Sequence, residues 1–156
     1  MPTFTSPVDG AALFYRYYQP DEIAFRKLER KTSDVTLVWL HGWPMSSRMY
    51  EHLILPLCES YRFRCIAPDR RGFGKSEWST PKTGSIGYDT FVADLVALLQ
   101  HLDVKNFVLV GASMGSAESL KTYLQSPFVQ ERCKVRENDT PQADRLANNS
   151  PRASSG

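Results

Sequence analysis

The chain has 156 residues, 42% of them hydrophobic, enough for one globular domain with a single core and too few for a second of ordinary size. Its formal net charge is +2 with both signs scattered along the sequence, so composition gives no reason to expect nucleic acid or an anionic membrane as a partner. The amino terminus lacks the basic and apolar regions of a leader, and no apolar run nears the ~18 residues that cross a bilayer, so a soluble cytoplasmic protein is the expectation. Cys58, Cys65 and Cys133 are odd in number, far apart and outside any Cys-x-x-Cys or Cys/His spacing, which points to isolated thiols rather than a disulfide framework or a metal site.

In chain order, residues 12–18 are rich in aromatics that favour a pleated surface. With residues 3–6 upstream and the turn signal Val8-Asp9-Gly10 between, they predict an amino-terminal hairpin. The charged stretch 21–31, with Ile23, Phe25 and Leu28 as its apolar anchors, reads as a surface loop or short irregular helix. Residues 35–40 form a continuous apolar run stopped by His41-Gly42, the pattern of a strand buried on both faces of a parallel sheet. Ser46 or Ser47 can then cap a helix whose apolar residues Tyr50, Leu53, Ile54, Leu57 and Cys58 make one buried face. Residues 64–68 predict a second buried strand, ending in the Gly-rich loop 69–76. From Asp89 a second helix carries Phe91, Leu95, Leu98, Leu99 and Leu102 in one stripe. Residues 106–110 predict a third buried strand, and the helix after Ser113 has Ala117, Leu120 and Leu124 as its apolar positions. This alternation predicts an α/β fold, a mostly parallel sheet with right-handed crossovers and helices on both faces. Past Cys133 the composition changes. Residues 134–156 hold only Val135 and Leu146 as larger aliphatics and read as a disordered polar tail, leaving 1–133 as the domain.

In such sheets ligands gather at the carboxyl ends of strands, where three stretches sit: 41–44, 69–76 and 111–115. Gly111-Ala112-Ser113-Met114-Gly115, between a buried strand and a helix, has the pattern of a nucleophile elbow, in which small flanking residues permit a strained turn that exposes the Ser oxygen. The helix starting there points backbone N–H groups at Ser113. His41-Gly42-Trp43-Pro44 makes a turn beside it, and the backbone N–H groups of Trp43 and Met114 are the natural pair to hold an oxyanion. Gly74-Lys75-Ser76 ends like a phosphate-binding loop, but the position of its required first glycine is Asp69, a carboxylate where phosphate should sit. No Gly-x-Gly-x-x-Gly opens a helix, so no cofactor is expected.

The stretches LVWLHGWPMS (37–46), IAPDRRGFGKS (66–76) and YDTFVADLVALLQHLDVKNFVLVGASMGSAES (88–119) resemble the amino-terminal half of the α/β-hydrolase fold family, most of all its cofactor-free haloperoxidase and esterase-type members. The resemblance covers about residues 1–133 and implies a partial α/β-hydrolase fold, truncated after about the fifth strand and its helix. It implies Ser113 as nucleophile toward an ester or other small acyl substrate, and Trp43 and Met114 as oxyanion donors. His41, Gly42, Gly111 and Gly115 then belong to the supporting turns, and Asp69, Arg70, Arg71 and Gly72 to the scaffold loop. Epoxide hydrolases and haloalkane dehalogenases share the His-Gly-x-Pro turn but use Asp as nucleophile, so Ser113 favours acyl transfer.

In this family the triad runs Ser, then an acid, then His. No His follows Ser113. His41 belongs to the turn, His52 to the exposed side of a helix, and His101 to a helix carboxyl end; Asp139 and Asp144 lie in the polar tail with no imidazole to orient. The triad His and acid are therefore missing, and the chain as given is expected to be inactive. The abrupt change after Cys133 reads as a frameshift, a retained intron or a mispredicted exon boundary. The competing reading is a non-catalytic fragment or interaction protein built on an incomplete sheet. In the family's strand order residues 106–110 would lie at an open edge, leaving some of Phe107, Val108, Leu109 and Val110 uncovered and offering a route to self-association.

Overall fold

The apolar runs assemble into one five-stranded sheet of order β1-β2-β4-β3-β5, seen in a computed structural model that describes residues 2–20, 33–78 and 86–134. The stretch 21–31 and the tail from residue 135, with Asp139 and Asp144, lie outside the described residues. Strands β1 (Thr3–Thr5) and β2 (Ala12–Tyr18) form the expected antiparallel hairpin. Gly10 takes a φ of 87° in its turn, a conformation that glycine adopts without a steric penalty. β2 runs antiparallel to β4 (Arg64–Pro68), while β3 (Thr36–Leu40) is flanked in parallel by β4 and β5 (Phe107–Gly111). β3 is thus central, and the carboxyl ends of β3, β4 and β5 lie at one end of the sheet.

Alternation along the strands builds two cores. Val38, Leu40 and Ile66 pack against Leu95, Leu98 and Leu99 of helix α2 (Tyr88–His101). Trp39, Cys65 and Ala67 face the other way, onto Tyr50 and Ile54. Tyr50 closes a short 3-10 turn, Ser47–Tyr50, that leads into helix α1 (Glu51–Glu59). Neither serine caps this helix as its sequence suggests: Ser46 makes no side-chain cap bond, and the Ser47 N–H donates at 2.7 Å to the Asp69 carboxylate. The stripe is also narrower than its periodicity implies, because Leu53 is exposed and Ile54 and Cys58 carry the contact.

The hairpin is fastened to the rest by charge. Arg71, with a fully buried side chain, donates to both oxygens of Asp94 on α2 at 3.0 Å and to Asp9 at 2.6 Å, and the Ser6 hydroxyl adds a 2.6 Å bond to Asp94. Sequence patterning passes over Asp94 because it sits among apolar neighbours in the α2 stripe.

Helix α3 (Met114–Gln125) departs from expectation. Its buried positions are Gly115, Glu118 and Thr122, whereas Leu120 and Leu124 are 61% and 64% exposed and Ala117 also faces outward. The helix starts hard against β3, and that contact sets its rotational phase irrespective of where its few apolar residues fall. β5 is the edge strand, as expected, yet Phe107 is fully buried beside Val129 of helix α4 (Pro127–Arg132). Cys133 makes a parallel bridge to Phe107, and the Lys134 N–H donates to the Phe107 carbonyl at 2.8 Å. Val108, Leu109 and Val110 are half-buried. Among the described residues no helix is long and apolar enough to cross a membrane.

Leu120 and Leu124 are exposed apolar side chains, and β5 beyond Phe107 is an unpaired edge; exposed apolar groups and open edges of this kind bind dyes and other chains. Replacing both leucines by lysine should reduce fluorescence of a bound apolar dye and raise the monomer fraction in sedimentation, with the melting temperature unchanged because neither side chain is part of a core.

Candidate active site

β5 ends at Gly111 and α3 begins at Met114, so Ala112 and Ser113 make the entire turn. Ser113 holds φ 53° and ψ −118°, a conformation that costs a non-glycine residue about 1–3 kcal/mol and persists only where surrounding packing enforces it. Two glycines show what enforces it. A Cβ on Gly111 would lie 2.3 Å from the Gly115 carbonyl oxygen, and one on Gly115 would lie 1.9 Å from the Leu40 carbonyl oxygen. Strand and helix therefore meet backbone to backbone, and only hydrogen fits between them. Ser113 occupies the N-cap position, where a serine ordinarily accepts a helix N–H, but it makes no such bond, and the residue is exposed. Its hydroxyl is left available.

The 41–44 turn abuts this elbow. A Cβ on Gly42 would stand 3.3 Å from the Ala112 carbonyl oxygen and 3.4 Å from the Ser113 Cβ. The Met45 N–H closes the turn onto the Gly42 carbonyl at 3.0 Å, the Trp43-Pro44 peptide is cis, and the Trp43 side chain is exposed. Among the described residues the N–H groups of Trp43 and Met114 donate to no acceptor. They are open donors, one in the 41–44 turn and one at the start of α3.

His41 is buried and fully engaged. Its Nε2 accepts from the Arg70 N–H at 3.0 Å, so Nδ1 carries the proton and donates to the Gly42 carbonyl at 2.9 Å. Burial lowers its pKa from the ordinary 6.5, and the Arg70 charge adds to that effect. A ring with both nitrogens committed cannot serve Ser113 as a base. His52 is exposed on α1, and His101 ends α2 with its ring 5.2 Å from that of Phe4, so neither joins the elbow.

The 69–76 loop folds around its own carboxylate. Asp69 accepts from the Ser47 N–H and, at 2.8 Å, from the Lys75 N–H, and a Cβ on Gly74 would fall 2.1 Å from an Asp69 oxygen. The space where a phosphate loop would cradle its anion is filled by Asp69. Arg70 turns inward instead: its Nε pairs with the Glu118 carboxylate and its Nη2 donates to the His41 carbonyl. Glu118 was not among the residues that sequence patterns single out. Its one signal is the spacing from Gly115, which puts a carboxylate on the helix face that touches the sheet.

Behind the turn lies a cavity of about 30 Å³ lined in part by Leu13, His41, Arg70, Phe91 and Glu118. It has room for about one water, and Ser113 is not in its lining, so it is no substrate pocket. Burial raises the pKa of Cys58, Cys65 and Cys133, that of Cys65 to about 11, leaving all three as unreactive thiols. Among the described residues no group of three or more His, Cys, Asp or Glu is placed to hold a metal ion.

Two expectations follow from this geometry. Gly115→Ala forces the helix start off β3 and should cost about 3 kcal/mol or more, read as a drop in the urea midpoint. His41 binds a proton less readily folded than unfolded, so the unfolded chain takes up more protons below about pH 6.5 and stability falls on acidification through that range. Wild type should lose more stability than His41→Gln between pH 7.5 and 5.

Residues 35–134 match a family described as alpha/beta hydrolase fold. Over 82 residues the chain is 46% identical to a putative non-heme chloroperoxidase of Synechocystis sp., a match covering 53% of this chain and 28% of that one. The solved esterase of Exiguobacterium antarcticum superposes with a TM-score of 0.64 at 30% identity, over 80% of this chain and 40% of the esterase. An epoxide hydrolase from metagenomes of hot environments gives a TM-score of 0.61 at 31% identity, over 79% and 36% of the two chains. The chain spans 28% and 34% of the length of the first two curated relatives it matches. With residues 35–134, most of its length, matched, this chain belongs to the alpha/beta hydrolase fold family.

Proposed function

We propose that the chain carries the nucleophile and oxyanion elements of a serine hydrolase acting on an ester or other small acyl substrate. The observation that carries this reading is Ser113 itself, exposed at a strained strand-to-helix turn with its hydroxyl withheld from helix capping. Its Oγ attacks the substrate carbonyl carbon. The Trp43 and Met114 N–H groups receive the charge that develops on the carbonyl oxygen. A carbonyl bound there needs no metal and no organic cofactor to be polarised. The epoxide-hydrolase likeness does not displace this reading, because the residue at the elbow is a serine.

What the described residues do not contain is a group to take the Ser113 proton, since His41 is committed and His52 and His101 stand elsewhere. The described residues therefore supply no base to this reading, and no histidine follows Ser113 in the sequence. A second reading is supported by the open β5 edge and the outward Leu120 and Leu124: a non-catalytic chain that associates through its incomplete sheet, with itself as the first candidate.

Removing a triad base costs on the order of 10⁶ in kcat, while an intact oxyanion site leaves a residual ~10³ to 10⁴ over water. The purified chain should hydrolyse p-nitrophenyl acetate little or not at all, with no part that depends on Ser113. Added imidazole should act as a surrogate base and speed phosphonylation of Ser113 by a fluorophosphonate, an effect absent in Ser113→Ala. Robust turnover abolished by Ser113→Ala would overturn the missing-base assignment; labelling that persists in Ser113→Ala would remove the nucleophile.

A further inference from the structure

The Arg70–Glu118 pair is a buried ion pair beside the elbow, with relative exposures of 6% and 2%. Such a pair is a weak source of stability, because stripping two ions of water costs about as much as their attraction returns, and apolar replacements are often neutral or better. Its placement gives it another use. Glu118 lies on α3 five residues past Ser113, and its carboxylate takes the Arg70 Nε. The same guanidinium donates from Nη2 to the His41 carbonyl, lies with its central carbon 5.6 Å from the Phe91 ring centroid, and belongs to the residue whose backbone N–H holds the His41 ring. The planar fork fixes both directions at once, as an ammonium could not.

We infer that Glu118, acting through Arg70, is a positioning residue that locks the 41–44 turn to the helix carrying Ser113 and so sets the register of the two oxyanion donors. The inference rests on the nucleophile and oxyanion reading proposed above. The His41 carbonyl shares its peptide plane with the Gly42 N–H, so holding it fixes that plane, while the Trp43 N–H lies in the next plane, whose Gly42 carbonyl is held in turn by the His41 ring. The Gly42 N–H meets the Met49 sulfur at 3.5 Å, and the Gly42 carbonyl accepts both the Met45 N–H and the His41 Nδ1–H. A turn held at these points from inside can keep an exposed Trp43 in place without contacts from the solvent side. Oxyanion donors act only within a narrow distance range, about 2.7–3.1 Å from the charge, which makes small displacements costly.

The test compares Glu118→Leu, Glu118→Gln and Arg70→Lys in the full 156-residue chain. Amide exchange at Gly42 and Met45 reports the turn, and exchange at Ile66 in β4 reports the core. Imidazole-assisted phosphonylation of Ser113 reports the register. Glu118→Leu should speed exchange at Gly42 and Met45 about tenfold or more beyond any change at Ile66, lower the melting temperature because Arg70 is left buried without its carboxylate, and slow labelling by about the same factor as the local exchange changes. Glu118→Gln, which still accepts from Arg70, should recover most of both. Unchanged exchange at Gly42 and Met45 in Glu118→Leu would overturn the lock, as would exchange that rises equally at Ile66. Should the leucine variant not fold, the order of the other two decides: a looser turn in Arg70→Lys than in Glu118→Gln supports the lock, and the reverse refutes it. Local loosening in a chain whose wild type never labels would uphold the lock and sink the nucleophile reading, so the two fail separately.

Discussion

The backbone contact between the start of α3 and the end of β3 is the constraint on which the rest of the site depends. Gly115 lets the helix approach until its own Cα stands against the Leu40 carbonyl, and Gly111 lets the strand end beneath it. With so little separation the chain has two residues in which to reverse from strand to helix, and Ser113 takes the strained conformation that results. The exposure of its hydroxyl is thus a consequence of close packing one turn away. The same contact sets the helix phase, placing Glu118 and Thr122 inside and Leu120 and Leu124 outside.

Around that contact the protein uses buried charge for geometry and apolar packing for cohesion. The two faces of the sheet are filled by aliphatic and aromatic clusters that need no polar help. The charged groups at the carboxyl end of the sheet each fix a loop. Arg71 and Asp94 tie the hairpin and the 69–76 loop to α2, Asp69 holds that loop to the 3-10 turn, and Arg70 with Glu118 spans the elbow and the 41–44 turn. Loops cannot be positioned by burial alone, because their backbone groups require partners, and a carboxylate or guanidinium supplies several in one rigid fork.

The division of chemistry within the chain follows from the same architecture. In the proposed reaction the groups that would receive negative charge are backbone N–H groups and a helix start, produced by the strand-turn-helix units themselves. A proton acceptor has to be a side chain with a free lone pair, and the one buried imidazole nearby has both nitrogens committed to backbone. On the proposed reading the described residues supply a nucleophile and open N–H donors but no free imidazole beside them.

Much of this was legible in the residues. The apolar runs at 35–40, 64–68 and 106–110, the helical stripe through Leu95, Leu98 and Leu99, and Gly-x-Ser-x-Gly between strand and helix are local patterns, set by neighbours within a few positions. Asp69 was legible as an obstacle to phosphate, since its charge is a property of the residue alone. What patterning misread was α3: Ala117, Leu120 and Leu124 are its apolar residues, yet packing at Gly115 turns them outward. Ser46 and Ser47 likewise looked sufficient as caps until a carboxylate from another loop satisfied the Ser47 N–H. Only the tertiary structure decided the roles of Asp94 and Glu118, because a buried charge is tolerable only beside its partner, and Arg71 and Arg70 lie 23 and 48 residues away along the chain. Local sequence determines which segments can be strand, helix or elbow through short-range periodicity and sterics; the phase of a helix and the pairing of buried ions are set by contacts between distant segments, which exist only once the sheet has assembled.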